Sequence, residues 1–189
     1  MLTGGGGRKQ SLTKAAFSGG ECRVLIVLEH RANMAGMEIP ARTLSVTRAA
    51  ARFCALRGWA PVEQVPLPDG RRADILALRP DGDFVILEVK SCARDFLTDA
   101  KWPDYRAWCD RLYFAVDLDF PQHLLPADVG LVVAEDREAA LLREAPDHRL
   151  APARRRALMQ RMAMLAAGRL AALSDPAGAA EMRAALRLE

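Results

Sequence analysis

The run Phe84-Val85-Ile86-Leu87-Glu88-Val89-Lys90 is apolar on both faces until a glutamate and a lysine close it. Such a run is predicted to be a central strand, covered on both sides by the rest of the chain. Period-two alternation puts Phe84, Ile86, Glu88 and Lys90 on one face and Val85, Leu87 and Val89 on the other. Charges that continue a buried face are costly unless they are paired or bind a metal. Just upstream, Arg71-Arg72-Ala73-Asp74-Ile75-Leu76-Ala77-Leu78 reads as an antiparallel partner, joined by a tight loop around Asp81-Gly82. A loop centred on Asp81 or on Gly82 sets Asp74 opposite Glu88 or Lys90, on their face. A loop centred between those two residues sets it opposite Val89, on the wrong face. Convergence of Asp74, Glu88 and Lys90 therefore requires an odd-residue loop or a bulge.

If that requirement is met, two carboxylates and one ammonium meet at the end of a rigid hairpin. Two carboxylates suit a hard divalent cation with open positions for water and a phosphate oxygen. A neighbouring lysine can orient or activate the attacking water, or stabilise developing negative charge. The competing reading is a plain Glu–Lys pair at a strand end with an unrelated Asp nearby.

Asp74, thirteen residues, then Glu88-Val89-Lys90 resembles the PD-(D/E)XK nuclease signature, with Ala73 where that pattern often has proline. More specifically, R-R-A-D-I-L-A-L, E-V-K-S, D-F-L-T-D-A-K-W-P-D-Y-R and C-D-R-L-Y-F-A-V resemble the MmcB family of bacterial DNA-repair proteins, from about Leu44 to about Leu173. The resemblance implies an α/β restriction-endonuclease-like fold, a central mixed sheet flanked by helices. It also implies a DNA-repair endonuclease using Mg2+, with Mn2+ as the alternative ion. Asp74 and Glu88 would hold the ion with the backbone carbonyl of Val89, and Lys90 would act on the water. DNA is the implied partner, with other repair proteins beside it. Lys101 and Tyr105 are four apart, so one helical turn would align them, allowing for the Pro103 break. They resemble the Q-x-x-x-Y motif of some of these nucleases, with Lys for Gln, which implies a substrate-holding role; a surface lysine and a core tyrosine are the bland alternative. The first predicted helix lacks the acid that some relatives carry there, and Glu63 is the nearest substitute. That departure keeps a rival open: a non-catalytic DNA-binding or scaffold protein on the same fold.

The chain has 189 residues, enough for one domain with a full core. Its net charge of +3 does not announce a nucleic-acid binder, so any basic surface must be local. Cys22, Cys54, Cys92 and Cys109 are scattered without a C-x-x-C pair, and His30, His123 and His148 form no ligand motif. Reduced thiols, no membrane-length apolar run and no secretory pattern make the cytoplasm the expected location.

Residues 1–41 are expected to be an arm, 42–175 the nuclease-like domain and 176–189 a tail. The arm opens with Gly4 to Gly7, which no strand precedes, so a phosphate loop is a poor reading. Cys22 to Leu28 has strand character without an evident partner, and Met34 and Met37 offer later starts. Thr43 to Arg57 is predicted to be a helix, capped by Thr43 or Ser45 and stopped by Gly58, with Val46, Ala49, Ala50, Phe53 and Leu56 as its apolar stripe. Its Arg48 and Arg52 read as a solvated face or, more sharply, as phosphate contacts. A strand is expected over Val62 to Leu67. After Lys90, helical pieces are expected over Ala93 to Ala100 and Pro103 to Cys109, with Trp102 and Trp108 in the core or stacked on bases. Arg111 to Val116 reads as a buried strand followed by Asp117 and Asp119, candidate extra ligands. Val129 to Ala134 and Ala139 to Arg143 read as a hairpin, and Ala153 to Leu173 as a helix with Leu158, Met159, Met162, Leu165, Ala166, Leu170 and Leu173 as its apolar face. Its Arg154, Arg155 and Arg156 oppose the macrodipole preference and read as a solvated face or, more sharply, as a phosphate patch. A chain beginning at Met37 is expected to melt at the same temperature as the full chain in a thermal scan; a clear loss of stability would refute the arm.

Overall fold

The computed structural model describes residues 39–186. The expected arm, including the strand-like Cys22 to Leu28, lies outside the described residues apart from its last three positions. Those three are helical: α1 runs Ile39–Leu56 rather than starting at Thr43. Thr43 and Ser45 therefore sit inside the helix, where Thr43 Oγ bonds Ser91 Oγ at 2.9 Å and Ser45 Oγ donates to the Asp136 carbonyl at 3.3 Å. The stop is where the sequence puts it. Gly58 adopts φ 74°, and Trp59 N–H returns to the Cys54 carbonyl at 3.0 Å. Val46, Ala49, Ala50 and Phe53 are buried, but Leu56, in the last turn, is 82% exposed.

Six strands form one open sheet in the order β1 to β6: Ala60–Pro66, Arg72–Leu78, Phe84–Lys90, Arg111–Asp117, Gly130–Glu135 and Glu138–Arg143. β1, β2 and β3 are an antiparallel meander, β4 and β5 run parallel to β3, and β6 turns back antiparallel. The parallel step from β3 to β4 needs a crossover, supplied by the short helix α2 (Ala93–Thr98) and a 3-10 helix, Trp102–Trp108. α1 covers one face. α2, the 3-10 helix and α3 (Pro152–Ser174) cover the other. This is the mixed sheet flanked by helices that the sequence implied, consistent with a restriction-endonuclease-like fold.

Every residue of β3 is buried. Phe84 and Ile86 pack on the α3 face with Leu112, Phe114 and Leu158, and Val85, Leu87 and Val89 on the α1 face with Tyr113 and Ala115. The alternation read from the sequence is thus the alternation of the two cores.

Past the sheet, α3 buries Leu158, Met162, Leu165 and Gly168, while Leu170 and Leu173 of the expected apolar face are exposed. The expected tail contains a helix, α4 (Ala179–Leu186), whose Ala179 is buried. Two of the three arginines that open α3, Arg154 and Arg155, are tethers. Arg155 reaches the Gly82 carbonyl and Asp110 Oδ1, and Arg154 donates to the Ala107 carbonyl while lying over the Trp108 ring. Their hydrogen bonds to partners outside the helix offset the mild conflict with the macrodipole.

Asp110 is the joint of this face. Only 5% exposed, its carboxylate accepts from Phe84 N–H at 2.7 Å, Leu150 N–H at 3.1 Å and Arg155 at 2.7 Å. It ties β3, the approach to α3 and α3 itself together. Asp110→Ala strands two buried donors and one guanidinium and should cost about 3–5 kcal/mol in urea denaturation; a change below about 1 kcal/mol would contradict that role.

Candidate functional site

The β2–β3 register decides whether the acids meet. Leu78 pairs with Phe84 and Ile75 with Leu87, so the strands flank a five-residue loop, Arg79 to Asp83, centred on Asp81. The loop is odd, as convergence requires, and Gly82 at φ 89° makes its turn. One step further along the same register, Asp74 lies opposite Glu88. Regular pairing stops there, and side chains take over the backbone donors. Val89 N–H donates to Asp74 Oδ2 at 2.9 Å, and Asp74 N–H points at Glu88 Oε1 at 3.4 Å.

Glu88 is 3% exposed, and the one hydrogen bond its side chain makes among the described residues is that long one. Burial, and then the neighbouring Asp74 charge, push its carboxyl up to about 9. Burial also raises Asp74, against the Val89 N–H and a 3.0 Å hydrogen bond from the Gln64 amide to Oδ1. Lys90 Nζ does not rest on Glu88; it donates to Asp99 Oδ2 at 2.6 Å. Burial works against the ammonium, but the Asp99 hydrogen bond and the charges of Asp95, Asp99 and Glu88 outweigh it, and its pKa rises. Asp99, despite partial burial, is held low by the same ion pair. One lysine therefore answers to four carboxylates, of which Asp95 and Asp99 come from α2 and the residue after it.

The other candidates separate. Tyr105 is buried, and its hydroxyl donates to the Arg72 carbonyl at 3.0 Å, one residue from Ala73 and two from Asp74. Burial, and then the charges of Glu88, Asp74 and Asp99, push its phenol up. Lys101 is exposed. The two do not align as one α-helical turn would align them, because Lys101 only precedes a 3-10 helix, in which four residues overshoot a turn. Trp102 stacks edge-on to Phe114 and Trp108 donates to Asp69, so both are engaged by the protein. Asp117 is 1% exposed and ion-paired to Arg42 at 2.9 Å. Alternation from Ala115 sets it on the α1 face, opposite Glu88, and Asp119 also pairs with Arg42. Glu63 pairs with Ile75 of the α1-face core and so shares that face too. Arg48 and Arg52 line a cavity of about 570 Å³ beside the β5–β6 turn, again on the α1 side.

The donor set suits a small hard cation: two neighbouring carboxylates, Asp74 half-buried and oriented by two hydrogen bonds, and Glu88 buried with one long one. Among the described residues no group of three or more His, Cys, Asp or Glu side chains gathers to hold a metal. Mg2+ commonly uses one or two carboxylates and keeps its waters, so two are enough for that ion.

A family model described as DNA repair protein MmcB-like matches residues 30–177. The chain belongs to the MmcB-like family. The match begins before the expected boundary at 42, so it takes in the end of the expected arm. Among solved structures, SPO1766, a protein of unknown function from Silicibacter pomeroyi, is 43% identical with a TM-score of 0.70, covering 76% of this chain and 96% of that one. A search of curated proteins finds no match. No helix among the described residues is long and apolar enough to cross a membrane.

Sequence reasoning missed Gln64 and Asp99, which hold two of this MmcB-like chain's three candidate side chains. Asp99 lies nine residues past Lys90, and a helix on the Lys90 face was the available signal. Gln64 had none, because the β1–β2 register was not legible.

The raised Glu88 pKa has a defined sign. Without a divalent ion the folded state keeps a proton that the unfolded state releases above pH ~4.5, so this group's contribution falls as pH rises from about 4.5 toward about 9. Glu88→Gln should therefore stabilise the metal-free protein at pH 8, on the order of 2 kcal/mol, and the gain should vanish near pH 4. Urea titrations at the two pH values measure it, and an equal effect at both would show that Glu88 is not held protonated.

Proposed function

We propose that this MmcB-like protein is a divalent-metal-dependent deoxyribonuclease acting in DNA repair, with its site at the open end of the β2–β3 hairpin. The observation that carries this reading is the meeting of half-buried Asp74 and buried Glu88 beside the Lys90 ammonium. So many acids around one lysine repel a phosphodiester unless a cation intervenes. The family's description as DNA repair proteins supports DNA as the substrate.

Bound between Asp74 and Glu88, Mg2+ or Mn2+ would supply Lewis-acid polarisation of the phosphate and a water of lowered pKa. The protein's own groups do the rest. Asp74, fixed by Val89 N–H, presents a carboxylate of set orientation. Glu88 gives up its proton to serve as the second ligand. Lys90, kept as an ammonium by Asp99, donates to the water or to the oxygen on which negative charge develops, rather than taking a proton. Tyr105 braces the backbone beside Asp74 through the Arg72 carbonyl. Exposed Lys101 is available to a DNA phosphate.

The second reading, a DNA-binding or scaffold protein without turnover, is favoured by two observations. Lys90 is already neutralised by Asp99, and no third ligand side chain gathers among the described residues. Incubation with branched and linear DNAs, with and without magnesium, separates the two: binding without cleavage under any divalent ion selects the second.

Two variants should fail differently. Glu88→Ala should weaken magnesium binding in calorimetric titration along with turnover, and excess magnesium or manganese should recover part of the cleavage. Lys90→Ala should leave metal binding near normal and lower single-turnover rates by roughly two to three orders of magnitude. Wild-type rates from both would move the active site elsewhere.

A further inference from the structure

Two non-glycine residues among those described have positive φ: Asp136 at 50° and Gln64 at 51°. Asp136 lies in the β5–β6 turn, where such a conformation is ordinary for aspartate. Gln64 lies inside β1, where no turn calls for it. The pairs on either side, Glu63 with Ile75 and Val65 with Ala73, keep a single register. No residue is inserted, so this is a local twist of one residue rather than a bulge. A left-handed conformation at a residue with a Cβ costs free energy and persists only where surrounding contacts impose it.

Contacts on both sides of the twist bear on it. Arg169 of α3 grips the two carbonyls at the twist, Nη1 donating to the Glu63 carbonyl at 2.6 Å and Nη2 to the Gln64 carbonyl at 3.4 Å. Twisted in this way, Gln64 donates from Nε2 to Asp74 Oδ1 at 3.0 Å. Asp74 is then held at both oxygens, by Gln64 on one and by Val89 N–H on the other. Each carboxylate oxygen accepts more than one contact, so the grip leaves room for a cation.

We propose that Gln64 is the positioning residue of the Asp74 carboxylate, and that Arg169 is the clamp that keeps Gln64 in its strained backbone. The residue type fits the task. An amide N–H orients a carboxylate without neutralising it, whereas lysine or arginine here would compete with a cation and glutamate would repel. The metal-binding half of this inference rests on the reading of Asp74 as a ligand; the positioning half does not.

Gln64→Gly is the decisive variant, because glycine accepts the positive φ without strain while the amide is removed with the rest of the side chain. The wild type and the variant are compared in three measurements. Magnesium affinity by calorimetry should fall about 10- to 100-fold, the range for losing a partner that orients a metal ligand. Hydrogen exchange at Val89 N–H should accelerate at least about tenfold, because the Asp74 oxygen that accepts it is no longer held. The melting temperature should not fall, because strain is relieved. Arg169→Ala should weaken magnesium binding in the same direction and lower the melting temperature. If the wild type binds no magnesium, the proposed metal site fails, and Val89 exchange alone judges the positioning role. Wild-type Val89 protection in Gln64→Gly overturns the proposal, as does unchanged magnesium affinity in a wild type that does bind. A fall in melting temperature with both site readouts unchanged makes Gln64 structural only.

Discussion

The structure depends on the complete burial of β3. A strand sealed on both faces has no solvent to turn its last side chains toward, so Glu88 and Lys90 must be compensated from within the protein. The surrounding elements answer that demand. α2 and its following residue bring Asp95 and Asp99 over the α3 face, and Asp99 takes the ammonium. β2 brings Asp74, which does not relieve Glu88 but loads it further. The result is a deliberately unbalanced end of the sheet, in which Lys90 is matched and Glu88 is not. Active sites are where imbalance of this kind is tolerated.

The opposite end of β3 is balanced. Asp110 closes the start of the strand through Phe84 N–H, and Arg155 completes it from α3. Arg161 and Arg169, further along α3, take carbonyls of β1, an edge strand whose acceptors would otherwise face solvent or another chain. α3 is therefore a brace as much as a cover, and its arginines are mostly structural. One of those braces, Arg169, also reaches the candidate site by way of Gln64.

Periodicity made most of the elements legible. The two-sided apolar run of β3, the stripe of α1 with its stop at Gly58 and the buried β4 followed from side-chain pattern, which is local and survives in any tertiary setting. Boundaries were less legible at α1, where the helix starts four residues before the expected Thr43 and leaves Thr43 and Ser45 as internal ties rather than caps. The alignment of Lys101 with Tyr105 failed for a different reason. A 3-10 helix replaced an α-helix after Lys101, and spacing rules do not carry between them.

For the candidate site, the sequence by itself determined the residue types and, through parity, the one condition under which Asp74 and Glu88 could meet. It left open whether the loop was odd, because loop centre is a matter of turn geometry that residue identity alone does not fix. The tertiary structure decided that, and decided also which acid claims the lysine. Asp99 and Gln64 reach the site from segments that do not pair with β3 in the sheet, and Asp117 is carried to the far face by a parity that only the β3–β4 register reveals. Pattern along a strand is set by its own residues, whereas contact between strands and helices is set by how their separate patterns are brought into register.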